Sequence, residues 1–517
     1  MLPARAKETR DGLASVTGGT LLVGATTAAL VGCTLLSRVL LVRSPAADWN
    51  SFSLELTISG VLGTAGTLGL PSAVAWALPH ASHDSERRTV VRTSILATAV
   101  VGVILGVSLW LAAPSLARVF GIPNLSLGLE AFSVSISTSL LSGIIVAIFR
   151  GYSDAFPNAI LLQVVNPGLF LVLLLVAFEV PAVGLTYSVA LIAYASASGV
   201  TLGLAVIYYV RRLPRHLPPG PRAPEYRGRL LRYAAPLYVS AVLVTIAGSG
   251  DTIILGVFHP SEVGVYTASL TLARLVQIGV SSASYILLPV ATRLLRRENE
   301  QGVHLIYATV TKWLLAFSLP LFALFVVLPQ QSLDFVYGPA YTSIVMPLQI
   351  TVAAAFGTAV LGPSAATQIA YGQLRAVAIN SVLAGGADVA LAIVLVPAHG
   401  YTGAAAAWAI STLLFTALCL SELAVLNGMT PFSRHLGIPL LSTLLPSALA
   451  LFLLRGIVPE WILPLLGLAV AGAFFLSAFL TKSIDEGDRL LLGVVEGMIG
   501  RPVPLIRRLA RFMGLTR

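Results

Sequence analysis

The chain has 517 residues, of which 56% are hydrophobic and 10% charged; its mean hydropathy is +0.89 and its formal net charge +10. Soluble domains carry about 25% charged residues, so this composition excludes a soluble enzyme, a disordered chain and a reader of nucleic acid. Cys33 and Cys419 both lie in apolar runs, which leaves no disulfide framework and no zinc site.

A hydrocarbon core about 30 Å thick needs roughly 20 apolar residues per helix. Fourteen runs meet that need, near 17–41, 51–78, 91–113, 126–149, 158–178, 185–210, 233–257, 265–289, 304–328, 341–366, 378–396, 403–426, 436–455 and 461–481. They are too long and too uniformly apolar for barrel strands, so an all-α polytopic membrane protein is expected. The first run is too long for a signal-peptide core and no small-residue cleavage site follows it, so it reads as a retained helix.

Charge sets the orientation. With the N-terminus inside, the inner segments collect nearly all lysines and arginines, including Arg87, Arg88, Arg92, Arg150, Lys312 and the seven arginines of 211–232. The outer segments hold only Arg43, Arg118 and Arg455, against Asp48, Glu179, Glu262, Asp334 and Glu460. The positive-inside rule then predicts an even number of helices and both termini on the cytoplasmic face of the cell membrane.

The expected organisation follows the longest polar link. Residues 1–16 form an N-terminal tail, 17–210 a lobe of six helices, 211–232 a proline-stiffened basic linker, and 233–426 a second lobe of six. Residues 427–481 add two helices, and 482–517 read as a basic amphipathic tail on the inner leaflet. Arg38-Val39-Leu40-Leu41 leading to Phe52 is echoed by Asp251-Thr252-Ile253-Ile254 leading to Tyr266, each a helix end, an external turn and the next helix. Two lobes of six enter the membrane the same way, which implies parallel repeats with a cavity between them.

Chemistry for catalysis is missing. None of Lys7, Lys312 and Lys482 follows a glycine, as a phosphate-binding loop requires. His80, His83 and Asp84 sit in a polar inner loop and do not read as a metal site, and no nucleophile elbow occurs. No cofactor is expected; a coupling ion is left open.

Charges inside the spans stand out, because each costs about 2.5–3.5 kcal/mol at mid-bilayer. Glu55 and Glu130 lie near helix ends, where snorkelling or structural pairing accounts for them. Arg38 and Asp251, beside Gly248-Ser249-Gly250, are expected to pair across the two lobes. Arg274, deep in the eighth run, and Asp388, after Gly385-Gly386, are the candidates for a substrate cavity. A guanidinium stays charged and grips phosphate bidentately. Gly60, Gly63, Gly66 and Gly69 recur every third residue, which predicts close helix packing.

Several motifs resemble a known family. Ser37-Arg38-Val39-Leu40, Ser51-Phe52-Ser53 and Leu68-Gly69-Leu70-Pro71-Ser72-Ala73 are similar to the first hairpin of polysaccharide-biosynthesis flippases of the multidrug/oligosaccharidyl-lipid/polysaccharide exporter superfamily. So are Gly250-Asp251-Thr252-Ile253-Ile254-Leu255-Gly256, Glu262-Val263-Gly264-Val265-Tyr266-Thr267-Ala268, and Asn380 with Pro397-Ala398-His399-Gly400-Tyr401-Thr402-Gly403-Ala404-Ala405. The resemblance implies a fold like that of the multidrug exporters, alternating access, and transport of a polyprenyl- or dolichyl-linked saccharide to the outer leaflet, for envelope polysaccharide or protein glycosylation. It also implies membrane lipids as surroundings, glycosyltransferases or a polymerase as pathway partners, and no nucleic acid. A lipid II-type flippase and a cation-coupled multidrug exporter are the alternatives, although the first helix lacks the acidic residue such exporters use. A multi-spanning glycosyltransferase is a more distant one.

Overall fold

The computed structural model describes residues 26–488 except 28, 153, 155, 181–183, 218, 219, 222, 296, 297, 482, 484–487. The amphipathic tail expected within 482–517 therefore lies almost entirely outside the described residues, as does most of the segment before the first helix.

All regular structure among the described residues is helical. In chain order, α1 covers 29–43, α2 Trp49–Gly66, α3 Leu70–His80, α4 Asp84–Phe120 and α5 Leu125–Gly151. A π-helical stretch, Asn158–Val165, runs into α6, Asn166–Glu179. There follow α7 Tyr187–His216, α8 Tyr226–Ala247, α9 Gly250–Phe258, α10 Val263–Leu295 and α11 Glu300–Val327. The last are α12 Pro329–Tyr337, α13 Val345–Leu361, α14 Ser364–Ala370, α15 Leu374–Asn427, α16 Arg434–Leu454 and α17 Leu463–Leu480. Eleven helical stretches among the described residues are long and apolar enough to cross a membrane. The described part of each of the fourteen apolar runs falls mainly on helix, a pattern compatible with fourteen spans, and the chain is a multi-pass membrane protein.

Some expected spans are interrupted, among them 51–78, 233–257 and 341–366, and the link between 378–396 and 403–426 is a tight turn. The run expected as one helix from 51 to 78 stops at Gly66 and restarts at Leu70, with Leu68 and Gly69 at φ +50° and +68°. A side chain at Gly69 would meet the Ala234 carbonyl oxygen and the Tyr238 amide, so this turn lies directly on the backbone of α8. The 54-residue α15 changes direction at Gly400, whose φ of 55° and ψ of −135° no other residue adopts without strain. Gly403 completes that turn, because a Cβ there would overlap the Leu395 carbonyl. The Gly400-Tyr401-Thr402-Gly403 motif thus marks the reversal between the expected spans 378–396 and 403–426.

The described residues form two compact units, one within 22–264 and one from Val265 onward. In the first, α5 packs along α4 and α7, and α8 lies against α2 and α3. Leu70, Val74, Leu78, Val90, Ile148 and Leu230 form one of its cores. The start of α2 is clasped to residues 260–264: Trp49 Nε1 donates to the Gly264 carbonyl at 2.8 Å, and Asn50 Nδ2 to that of Pro260 at 2.6 Å. In the second unit, α11 packs against α13, α16 and α17. Its core joins Tyr307, Val310 and Leu314 to Leu420 and Leu423 of α15.

Candidate functional site

Sequence reasoning singled out Arg274, Arg38, Asp251 and Asp388, and they occupy different environments. Asp251 is fully buried at the first turn of α9, where its Oδ1 accepts from the Thr252 amide at 2.6 Å and its hydroxyl at 3.2 Å. Arg38 is half-buried on α1, in the same unit as Asp251. Asp388 is buried in α15, and Ser411 Oγ donates to its Oδ1 at 3.1 Å. Arg274 stands apart: it is exposed on α10, and no described residue bonds to its guanidinium. At 1.5 Å per residue, its Cα lies about 16 Å along α10, near half the thickness of a hydrocarbon core.

Other polar side chains within the helices bond to protein groups through at least one atom. Glu55 does not snorkel; it is fully buried in α2, and Tyr187 donates to its Oε1. This carboxyl occupies the space a side chain would need at Gly128. Glu130 accepts from Ser126 Oγ at 3.0 Å. Asn380 and Gln368 both donate to Glu422 Oε2 at 2.8 Å, a polar knot tying α14 to the two arms of α15.

Lys312, counted from the sequence with the inner-face cations, is buried mid-way along α11. Its ammonium lies 2.6 Å from Asp488 Oδ2 and donates to the Ser483 carbonyl at 2.8 Å, while Trp313 Nε1 donates to Asp488 Oδ1 at 2.7 Å. Nothing in the sequence pattern links these residues, which are 176 positions apart.

The unit 22–264 contains a cavity of about 330 Å³ between α2, α3, α4, α5 and α7. Its wall includes Ser59, Gly60, Gly63, Thr98, Ser135 and Tyr194, and no acidic, basic or histidine side chain lines it. Phe132 and Tyr194 stack at one end with centroids 4.6 Å apart. The sequence signal for this cavity is the glycine spacing in α2, which reads as close packing or hinge motion. Gly66 does pack, against Leu105 and Leu140, but Gly60 and Gly63 face open space.

A family of polysaccharide biosynthesis proteins matches residues 16–295 of the chain. Among solved structures, a lipid II flippase MurJ in an inward closed conformation superposes with a TM-score of 0.71 at 14% identity, over 88% of this chain and 98% of that one. An inward-facing multidrug resistance MATE family transporter of the MOP superfamily gives 0.63 at 16%, over 80% and 99%. A MOP superfamily transporter from Pyrococcus furiosus gives 0.53 at 16%, over 79% and 96%. At these identities the superpositions establish a shared fold. A comparison with curated protein sequences finds no match.

Proposed function

The chain belongs to the polysaccharide biosynthesis protein family, and from that premise we propose that it carries a lipid-linked saccharide from the cytoplasmic to the outer leaflet of the cell membrane. The lipid tail stays in the bilayer while protein groups replace the water around the headgroup. That replacement is needed because each unsatisfied polar group costs several kcal/mol in hydrocarbon. The fold shared with a lipid II flippase supports the reading. Both termini lie on the cytoplasmic side, and enzymes that build or polymerise the saccharide supply and consume the cargo.

The observation that carries the reading is Arg274. A guanidinium at mid-span depth that no described protein group neutralises is stable when it meets water or an anionic ligand. The phosphate of a polyprenyl or dolichyl carrier fits it, because arginine binds phosphate with two parallel hydrogen bonds. The test is translocation of a fluorescent polyprenyl-phosphate saccharide in proteoliposomes, read by an external quencher. Arg274→Ala lowers the rate at least about tenfold with unchanged folding, the loss of one charge-assisted contact, and Arg274→Lys keeps part of it. A wild-type rate in the alanine variant overturns the assignment.

A further inference from the structure

The contact between the start of α2 and residues 260–264 caps one helix from another. The first N–H groups of a helix have no partner within it, and a side chain just before the helix commonly takes one. Asp48 does so for α2, where its Oδ1 accepts from the Ser51 amide at 3.3 Å. The start of α10 is served from a distance: its Gly264 amide donates to Asn50 Oδ1 at 2.7 Å, 214 positions away. The same carboxamide donates through Nδ2 to the Pro260 carbonyl at 2.6 Å, and Trp49 Nε1 donates to the Gly264 carbonyl at 2.8 Å. Asn50 thus presents one donor and one acceptor to the backbone, which an aspartate or a leucine cannot do. Gly264 permits the approach, because a Cβ there would lie 2.8 Å from Asn50 Cα.

Apolar packing continues the contact along α9. A Cβ at Gly256 would lie 3.0 Å from Leu54 of α2 and 3.1 Å from Phe120 of α4, both buried. The segment from Gly256 to Gly264 is therefore seated on α2 and the end of α4. In the organisation expected from the sequence, α2 and α4 belong to the first lobe and this segment to the second, at the outer ends of both.

The hydrogen-bonded part of the contact is built to part at small cost. Each bond is worth little net, since water replaces it outside the membrane. Ser261 is exposed and stands three residues before Gly264, the same spacing by which Asp48 caps Ser51. Its hydroxyl can take over the Gly264 amide once Asn50 withdraws.

We propose that Asn50 and Trp49 are the latch of an outer gate, fastened in this structure to residues 260–264 and released when the headgroup leaves for the outer leaflet. The proposal rests on the flippase reading above and adds to it the contact that decides whether the outer side is open.

The test uses the full chain in nanodiscs, with Cys33 and Cys419 replaced by serine and spin labels at Leu127→Cys and Phe258→Cys, both exposed at the outer ends of their helices. Double electron–electron resonance is expected to show a main shorter and a minor longer distance. Asn50→Leu removes two hydrogen bonds and raises the ratio of longer to shorter about tenfold; Trp49→Phe removes one and raises it about fivefold. Adding the fluorescent polyprenyl-phosphate saccharide raises the longer population of the wild type. A wild-type distribution in both variants overturns the latch, and so does a wild type that translocates the saccharide with no change in distance. If Asn50→Leu does not elute as a folded monodisperse protein, Trp49→Phe carries the test. Loss of folding in both assigns the contact to stability and overturns the latch as well. Failure of the wild type to translocate in proteoliposomes refutes the flippase reading instead, and the distances in the two variants still decide whether this contact opens.

Discussion

At the scale of single residues, the spans sort their charged groups by whether protein answers them. Glu55 is answered by Tyr187, across 132 positions, and the pair is seated over Gly128. Gly128→Ala is therefore expected to destabilise by about 1–3 kcal/mol, read as a fall in melting temperature, because its methyl overlaps the carboxyl. Adding Glu55→Ala frees that space and restores part of the loss; a double variant as unstable as the sum of the single ones refutes the account. Glu55 was legible as an oddity from hydropathy alone. Its partner was not, since a tyrosine near a helix start carries no signal of what it faces.

At the scale of elements, the departures from plain spanning helices have local causes with distant partners. The reversal inside α15 needs Gly400, so Gly400→Ala is expected to cost more than about 1 kcal/mol, whereas Gly386→Ala on the same helix, facing open space, is neutral or stabilising. Equal melting temperatures for the two variants would count against a strained turn. The segment that follows α17 is held to α11 by Lys312 and Asp488. Breaking a buried pair strands the remaining charge, so Lys312→Met should cost about 3–5 kcal/mol. Lys312→Met with Asp488→Leu recovers most of it, read as the return of the melting temperature. Lysine in an apolar run is visible in the sequence, but its partner is not, because a pairing 176 residues away leaves no periodic trace.

At the scale of the whole molecule, charge asymmetry makes a topological prediction independent of any site. With the native cysteines replaced, Ser261→Cys, exposed before α10, reacts with an impermeant maleimide on intact cells. Glu225→Cys, exposed in the basic linker, reacts only after permeabilisation. The reverse pattern would invert the orientation and with it the direction of transport.

Class, span positions and family were all present in the amino-acid order, because a bilayer demands about 20 apolar residues per crossing and a helix satisfies its own backbone locally. These are properties of contiguous segments, and a linear text records them. Which charges are neutralised, and that Gly60 and Gly63 border a void while Gly66 and Gly69 touch neighbours, are properties of groups distant along the chain. Only packing brings such residues together, so only the tertiary structure could decide them.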